Sequence, residues 1–202
     1  RFWFNPELKS RNFLVPGTIA IVMTLIGTLL TALVIAREWE RGTMEALLAT
    51  PVSALEILAG KLIPYFALGL GSMAVSTLLA VTLFGVPLRG SFLALTLLSA
   101  AFLCPALGQG LLISALAKNQ FVASQMALLA GFLPAFLLSG FIFEIDSMPA
   151  PIQVIASILP ARYFIASLQS IFLAGDLWRP LAQDIGILLL LGGVFLGLAM
   201  RA

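Results

Sequence analysis

The sequence predicts an all-α integral membrane protein that is built around five transmembrane helices. Of its 202 residues, 61% are hydrophobic and 10% are charged, whereas about 25% of the residues in a typical soluble domain are charged. The mean hydropathy of +1.10 agrees with a membrane protein. Four runs also carry no formal charge, and each exceeds the roughly 20 residues that a helix needs to cross the hydrocarbon core. These runs are 12–36, 62–88, 90–117 and 119–143.

The charge-free runs and a fifth apolar run define the predicted spans. We expect helices, because every backbone N–H and C=O group in lipid must find its partner inside the protein. The fifth run contains one charged residue, Asp184, near one of its ends. The predicted spans are 17–36, 62–84, 92–116, 124–143 and 181–200.

The segment 37–61 between the first two spans is the most charged part of the chain, with seven of the twenty charged residues. From Glu38 its pattern favours a short amphipathic helix with one apolar face. This helix should end at Thr50, because the residue before a proline, here Pro51, is pushed away from helical geometry. The segment is either a docking surface or a solvated helix that rests on lipid headgroups. Its apolar face consists of Met44, Leu47 and Leu48.

A second helix should begin after Ser53 and continue into the second span. Ser53 and Glu56 form the S-x-x-E pattern of a capping box, in which each side chain bonds the backbone N–H of the other residue. Pro64 should kink this helix, because a proline leaves the carbonyl four residues earlier without a hydrogen bond. The predicted elbow between the loop and the membrane therefore consists of Pro51, Ser53, Glu56 and Pro64.

The segment 144–180 between the last two spans contains two apolar pieces, each too short to cross a membrane. Pro160 separates the pieces, and Gly175 ends the second one as a helix stop. We expect a hairpin of two short re-entrant or interfacial helices. Pro160 marks the break of this hairpin, and Arg162 and Tyr163 follow it; the family resemblance described below singles out these three residues.

The composition of the spans argues against several classes of function. The sequence has no histidine, and its first four predicted spans contain no charged residue. Proton-coupled transporters need ionisable residues inside the membrane, and hydrolases need a nucleophile with a base, or metal ligands. The net charge of +2 gives no reason to expect nucleic acid, and a single cysteine, Cys104, excludes an internal disulfide. If the protein moves a solute uphill, the energy has to enter from outside this chain.

Small and hydroxyl side chains share one face of the first span, where Thr24, Thr28 and Thr31 lie. Such residues allow membrane helices to pack closely. The face is either a helix–helix seam or the lining of a substrate path, and a dimer seam that opens would be both. We expect the three threonines at a subunit interface. Gln109 in the third span is either a partner in an interhelical hydrogen bond or a substrate contact.

Three groups of residues resemble one known family. Residues 35–51 carry the first group, I-A-R-E-W-E-R-G-T-M-E followed by L-L and T-P. The second is L-P-A-R-Y-F at 159–164 with I-F-L at 171–173, and the third is N-P-E at 5–7 with V-P-G at 15–17. Their order and spacing resemble the type-2 permeases of ATP-binding cassette (ABC) exporters, especially bacterial drug-efflux permeases, over essentially the whole chain.

The resemblance implies a topology in the bacterial inner membrane. Permeases of this family have six spans, and an external domain follows the first span. The chain would supply spans two to six, with residues 1–16 as the end of the external domain and 17–202 as the transmembrane permease domain. The loop 37–61 and the C-terminus would be cytoplasmic, and the hairpin 144–180 would lie outside.

The resemblance also implies a mechanism. The family's permeases act as dimers, and a separate ABC ATPase drives them through a coupling helix in the first cytoplasmic loop. The sequence has no P-loop pattern G-x-x-x-x-G-K-[ST], so ATP and Mg²⁺ would be held by the ATPase and no cofactor by this chain. The substrate would be lipophilic or drug-like. The ATPase contacts, carried over residue by residue, would be Glu38, Glu40, Arg41, Gly42, Thr43 and Glu45.

The expected partners are the ABC ATPase, a second copy of the permease or a homologous permease, membrane lipid and a periplasmic adaptor, but no nucleic acid. One residue departs from the family pattern, since Trp39 stands where a charged or polar residue is expected. We interpret it as an anchor in a partner groove or in the headgroups. The alternative function, from another class, is a non-transporting membrane scaffold that docks a cytoplasmic partner through the same loop.

Overall fold

The computed structural model describes residues 10–143 and 145–201, which form helices and no β-strand. Five helical stretches are long and apolar enough to cross a membrane. The predicted fold class, an all-α membrane protein with five spans and additional short helices, is confirmed. In the described residues the helices are α1 (Ser10–Glu40), α2 (Thr43–Leu48), α3 (Ala54–Thr82), α4 (Phe92–Ala117), α5 (Gln120–Met126), α6 (Leu133–Leu138), α7 (Ala150–Ile158), α8 (Pro160–Leu173) and α9 (Trp178–Ala199), with a π-helical segment (Ala127–Phe132) between α5 and α6.

Helix α4 lies at the centre of the bundle. It is buried along most of its length and packs against both α1 and α9. Glycines make the contact with α9 close. Gly108 lies against Phe195 and Leu196, and a Cβ atom added at Gly192 would come within 2.7 Å of the Cβ of Cys104. Membrane helices associate through such close packing, because lipid provides no hydrophobic force that would drive them together.

The contact between α1 and α4 is also close. A side chain at Gly110 of α4 would collide with Thr28 and Thr31 of α1. One turn further along α4, the hydroxyl oxygen of Ser114 accepts hydrogen bonds from the backbone N–H groups of Ile35 and Ala36, at 2.9 and 2.8 Å. Small residues on α4 therefore bring the α1 backbone within hydrogen-bonding range of an α4 side chain.

Helices α7 and α8 form the predicted hairpin and bend by 80° at its break. Pro160 is the first residue of α8. An N–H group at this position would have no acceptor within the helix, so the proline costs no helical hydrogen bond. The hydroxyl of Tyr163 closes the corner by donating to the carbonyl of Ser157 at 2.7 Å. Phe164 of α8 stacks on Phe102 of α4 with ring centroids 3.9 Å apart. Helix α8 is thus packed into the bundle core, whereas α7 is largely exposed.

The connection between α3 and α4 is fastened to the end of α8. The N–H groups of Arg89 and Gly90 donate to the carbonyls of Phe172 and Ile171, at 3.2 and 2.8 Å. These carbonyls belong to the last turn of α8, where no helical N–H group is available. Position 90 needs a glycine, because a Cβ atom there would lie 2.9 Å from the carbonyl oxygen of Ile171.

Helices extend beyond the predicted spans at both ends of α1 and at the start of α3. Helix α1 includes residues 10–16 and continues to Glu40, and residues 1–9 of the expected external segment lie outside the described residues. The length of a charge-free run underestimates the length of a helix whose charged ends reach the headgroup layer. Helix α3 joins the elbow and the span in one helix that includes Pro64, and the kink expected at this proline stays a prediction.

The fourth span is shorter and less regular than expected. It consists of α5, the π-helical segment and α6, and it ends at Leu138 instead of residue 143. Gly140 adopts a φ of 85°, a left-handed conformation that ends a helix and that glycine adopts easily.

Candidate functional site

The exposed end of the bundle between α1 and α3 carries the predicted docking residues. We call residues 41–50 the α2 surface. A continuous helix from Glu38 to Thr50 was expected, but this prediction is wrong, because Gly42 breaks the helix with a φ of 68°. Glu38 and Glu40 therefore belong to the last turn of α1, and α2 is a separate helix of six residues.

Glu38 ties together three helices. Its carboxylate accepts a hydrogen bond from the Lys61 ammonium of α3 at 2.8 Å, and the two side chains are only 27% and 20% exposed. Thr43, the first residue of α2, also donates its hydroxyl to this carboxylate. A charge-assisted bond that is partly shielded from water is stronger than one between neutral groups. Glu38 thus holds α1, α2 and α3 together instead of facing outward.

Glu40 joins α1 to the start of the fourth span. It accepts hydrogen bonds from the backbone N–H of Gln120, at 2.8 Å, and from the side-chain amide of the same residue. Gln120 is the first residue of α5, and the side chain of Asn119 caps the same helix by accepting from the N–H of Val122 at 3.0 Å. A carboxylate is favourable at a helix N-terminus, where backbone N–H groups are unpaired.

Trp39 is an internal anchor. Its ring packs against the buried cluster that contains Ile35, Leu58 and Leu111. The ammonium of Lys118, the left-handed residue that ends α4, lies 4.6 Å from the centroid of the indole ring. The interpretation that Trp39 reaches into a partner groove or the headgroups is therefore replaced by a contact within the protomer.

The remaining predicted docking residues point outward. Arg41, Gly42, Thr43 and Glu45 are exposed. Within the described residues, no hydrogen bond or ion pair involves the side chain of Arg41 or Glu45. The half-buried Met44 packs against the same cluster as Trp39. The α2 surface therefore presents one exposed polar face and is attached to the bundle by the other.

The predicted elbow contains the capping box. The backbone N–H of Ser53 donates to the Glu56 carboxylate at 2.8 Å, and the N–H of Glu56 donates to the Ser53 hydroxyl at 3.3 Å. Pro51 lies in the short non-helical link before this cap. The cap starts α3 directly after the α2 surface. Few non-helical residues therefore lie between the two helices, and these few could absorb little of a displacement of α2.

The threonine face of α1 lies inside the protomer, which contradicts its expected place at a subunit interface. Thr28 and Thr31 are 0% exposed and Thr24 is 5% exposed in a single chain. Each hydroxyl donates to the carbonyl four residues earlier, at 2.7–2.8 Å. The face is covered by Gly110 of α4 and Gly131 of the π-helical segment. The helix–helix seam is therefore correct, but it is a seam within one chain.

Gln109 makes the interhelical bond that was one of its two interpretations. Its side-chain amide donates to the carbonyl of Ala130 at 3.0 Å. Ala130 lies in the π-helical segment, shortly before Pro134, which has no N–H group to offer a helical carbonyl. Gln109 thus joins α4 to the irregular part of the fourth span. The π-helical segment itself was not predicted, although a proline in the middle of an apolar run signals an irregular span.

A second polar contact links the hairpin to the last span. The hydroxyl of Ser167 in α8 donates to the carboxylate of Asp184 in α9 at 2.5 Å. Arg162 lies within electrostatic reach of the same carboxylate, and its guanidinium is 5.8 Å from the ring centre of Tyr163. These contacts make Arg162 and Tyr163 parts of the hairpin's attachment. In the described part of the chain, no group of three His, Cys, Asp or Glu side chains could hold a metal ion.

Comparisons with known proteins agree on one family. A family model described as "ABC-2 family transporter protein" matches residues 2–201. "Probable multidrug ABC transporter permease YbhS" of Escherichia coli (strain K12) is 52% identical over 198 residues, which are 98% of this chain and 52% of that protein. "Probable multidrug ABC transporter permease YbhR" of the same strain is 31% identical over 176 residues (86% and 47%). "Inner membrane transport permease YhhJ", also of this strain, is 30% identical over 206 residues (99% and 54%). The chain spans about half the length of the curated relatives it matches.

Proposed function

The chain belongs to the ABC-2 family of transporter proteins, and from this premise we propose that it forms the membrane-spanning permease part of an ATP-driven exporter. The relatives named as multidrug permeases support a lipophilic or drug-like substrate. The transporter would lie in a bacterial inner membrane, with the α2 surface and the C-terminus in the cytoplasm. Its partners would be an ABC ATPase, a second permease and, outside, a periplasmic adaptor.

The observation that carries this proposal is the attachment of the α2 surface to the bundle. Its exposed face, with Arg41, Gly42, Thr43 and Glu45, is available to a partner. Behind it, Glu38 bonds the start of α3 through Lys61. We therefore assign the exposed residues to docking of the ATPase and Glu38 to transmission.

In the proposed mechanism the partner ATPase, which holds ATP and Mg²⁺, displaces the α2 surface when it closes. The movement passes to α1 through the turn at Gly42 and to α3 through the Glu38–Lys61 pair. It passes to the fourth span through Glu40 and Gln120. Three spans thus receive one displacement at the same end, which is what a rocking movement of a permease requires. Proteins with two packed arrangements convert small local shifts into such movements.

The direct test is the double charge reversal Arg41→Glu with Glu45→Arg in the full-length permease, co-expressed with its ATPase and reconstituted in vesicles. This change keeps the net charge but exchanges the positions of the positive and the negative side chain that a partner would contact. We expect at least a tenfold loss of both dye-stimulated ATPase activity and ATP-dependent transport of a fluorescent lipophilic dye, about 1.4 kcal/mol of lost interaction. The control is Arg179→Glu at the exposed start of α9. It perturbs charge more strongly, because it changes the net charge by two, and should still leave both activities unchanged.

Unchanged ATPase stimulation and transport in the double variant would refute the assignment of the α2 surface. The same preparation separates the exporter from the membrane scaffold. A wild-type complex that binds the ATPase but moves no dye with ATP would favour the scaffold, because docking alone does not require transport.

A further inference from the structure

A pocket of about 290 Å³ lies between α1 and α3, at the end of the bundle where the Glu38–Lys61 pair joins them. Its volume is close to the lower bound of about 300 Å³ that is typical of small-molecule sites. On α1 it is lined by residues 30, 33, 34, 37 and 38, and this spacing places them in one stripe along the helix. The pocket is separate from the α2 surface, because none of the described residues that line it belongs to 41–50.

The stripe on α1 changes from apolar to charged along the helix. The leucines and the valine at 30, 33 and 34 lie one to two turns further into α1, and Arg37 and Glu38 belong to its last turn. On the other side of the pocket, α3 contributes Lys61 and Tyr65, which are four residues apart and therefore share a helical face. The pocket thus has an apolar part and a charged part, which suits an amphipathic ligand.

The hydrogen-bonding groups that remain unused on the charged side chains of the pocket are donors. The carboxylate of Glu38 already accepts from Lys61 and from the hydroxyl of Thr43. The guanidinium of Arg37 makes one hydrogen bond to the described residues, from its Nε to the Oε1 atom of Gln120 at 3.5 Å. The two terminal nitrogens of this guanidinium are therefore available to a ligand that accepts hydrogen bonds.

The charge of the pocket indicates that this ligand is an anion. Two cations, Arg37 and Lys61, and one anion, Glu38, leave the lining with a net positive charge. The side chains of Lys61 and Glu38 are only 20% and 27% exposed, and charges interact more strongly where water is partly excluded. The planar guanidinium offers several N–H donors in a geometry that fits a carboxylate or a phosphate, and an ammonium has three donors, of which Lys61 uses one for Glu38. The pocket therefore suits an oxyanion.

We infer that the pocket between α1 and α3 binds a small amphipathic oxyanion. The oxyanion group lies between Arg37 and Lys61, and the apolar part of the ligand lies along residues 30–34. The oxyanion competes with Glu38, because both are negatively charged partners of the Lys61 ammonium. A phospholipid and a soluble alkyl phosphate share this chemistry, and competition experiments separate the two sources. The inference concerns binding alone and does not depend on the proposed transport function.

The test uses the full-length permease without its ATPase, in nanodiscs of phosphatidylcholine, and a hexyl phosphate that carries a diazirine in its alkyl chain. After irradiation, the label on residues 30–38 and 60–65 is quantified by mass spectrometry. We expect this labelling to saturate with the probe concentration, whereas a hexanol with the same diazirine should label in proportion to its concentration. Inorganic phosphate should displace the probe if a free oxyanion suffices, and phosphatidylglycerol in the nanodisc should displace it if the occupant is a lipid.

Two charge variants should shift binding in opposite directions. Arg37→Gln should raise the probe concentration at half-saturation at least fivefold, because it removes the available guanidinium. Glu38→Gln should lower it about threefold, because it removes the competitor for Lys61. Arg201→Gln is the matched control, since it makes the same change at an exposed arginine outside the pocket, and it should have no effect.

A third variant tests the space in the pocket. Gly60 lines the pocket, and no atom lies within 4 Å of a Cβ atom added there. Gly60→Trp should therefore fold normally, fill the pocket and reduce its labelling at least fivefold. Gly71→Trp is the control, because Gly71 is equally free of neighbours on the same helix but lies outside this pocket.

The inference is overturned if the labelling does not saturate, if Arg37→Gln weakens binding no more than Arg201→Gln, or if Glu38→Gln weakens it as well. It is also overturned if neither inorganic phosphate nor phosphatidylglycerol displaces the probe, or if Gly60→Trp leaves the labelling unchanged in a protein that still elutes as a folded species. Each outcome leaves the proposed transport function untouched, because none of these measurements involves ATP.

Discussion

Helices α1 and α3 are the two arms that meet at the α2 surface, and they differ sharply in how they are packed. Both exceed 28 residues, and both contain a proline within the helix. In their most apolar 18-residue stretches, however, 67% of the residues of α1 are buried and only 11% of those of α3. Both stretches are apolar enough to cross a membrane, so their predicted role as spans does not show which one is buried. The difference lies in which small and polar residues each helix presents to α4.

The packing of α1 depends on shape. Thr28 and Thr31 meet Gly110 where the two backbones are closest, while α3 offers Gly60 and Gly71 with open space around them. The effect of a glycine in a span therefore depends on its neighbours. Gly69 of α3 makes room for the Leu103 side chain of α4, whereas Gly60 and Gly71 have no neighbour. One arm of the loop is thus fixed in the core, and the other lies at the edge, where the Glu38–Lys61 pair joins it to α1.

The largest effect is expected from the glycine at the α1–α4 contact. Gly110→Leu should destabilise the protein by about 3 kcal/mol or more, because overpacking against a backbone cannot relax by side-chain movement. Gly71→Leu on α3 is the matched control and should change stability little, since no atom lies within 4 Å of its added Cβ. Thermal unfolding in detergent measures both. Equal losses would show that α1 and α3 are packed alike.

A smaller effect is expected from Ser114→Ala. The serine oxygen accepts from the N–H groups of Ile35 and Ala36, so its removal should cost about 1–2 kcal/mol. Ser76→Ala on α3 provides the same chemical change at a half-buried position and should stay within a few tenths of a kcal/mol. Hydrogen exchange at Ile35 and Ala36 should accelerate in the first variant only. If both variants lose the same stability, the hydroxyl does not distinguish the arms.

The smallest effect on stability is expected from the link between the arms. A double-mutant cycle of Glu38→Gln and Lys61→Gln should give a coupling energy below about 1 kcal/mol, because the pair is partly exposed. High salt should reduce this coupling further. Glu45→Gln is the control for the stability measurement only, since it removes an exposed carboxylate without an ion pair among the described residues, whereas its transport is affected by the proposed docking role of Glu45. Transport should nevertheless fall in both pair variants, and unaffected transport would argue against a role of this pair in transmission.

Sequence reasoning predicted the features that are determined by patterns of neighbouring residues. Four spans followed from charge-free runs and the fifth from an apolar run with one charged residue, Asp184. The Ser53–Glu56 cap followed from a four-residue pattern, and the break at Pro160 from the properties of proline. Such features are encoded within a few neighbouring residues, so no knowledge of the tertiary structure is needed. The threonine seam was also visible as a seam, because three hydroxyl residues on one helical face have few other uses in a membrane.

Features that depend on distant partners were missed. Nothing in the local pattern shows that Glu38 pairs with Lys61 or that Glu40 bonds Gln120, 80 residues away. The threonine face was assigned to a subunit interface, because a single sequence does not say whether a seam is filled by the same chain. Trp39 was assigned to a partner for the same reason. In each case a contact inside the protomer satisfied a residue that sequence patterns left without a partner.

The π-helical segment Ala127–Phe132 amounts to one residue inserted into the fourth span. Each residue of an α-helix turns the chain by about 100° and advances it by about 1.5 Å. All side chains after the insertion, including Phe136, which stacks on Phe132 with centroids 5.6 Å apart, therefore point about 100° away from where an uninterrupted helix would place them. Deleting a single residue here would redirect the aromatic side chains at this end of the span without changing the identity of any of them.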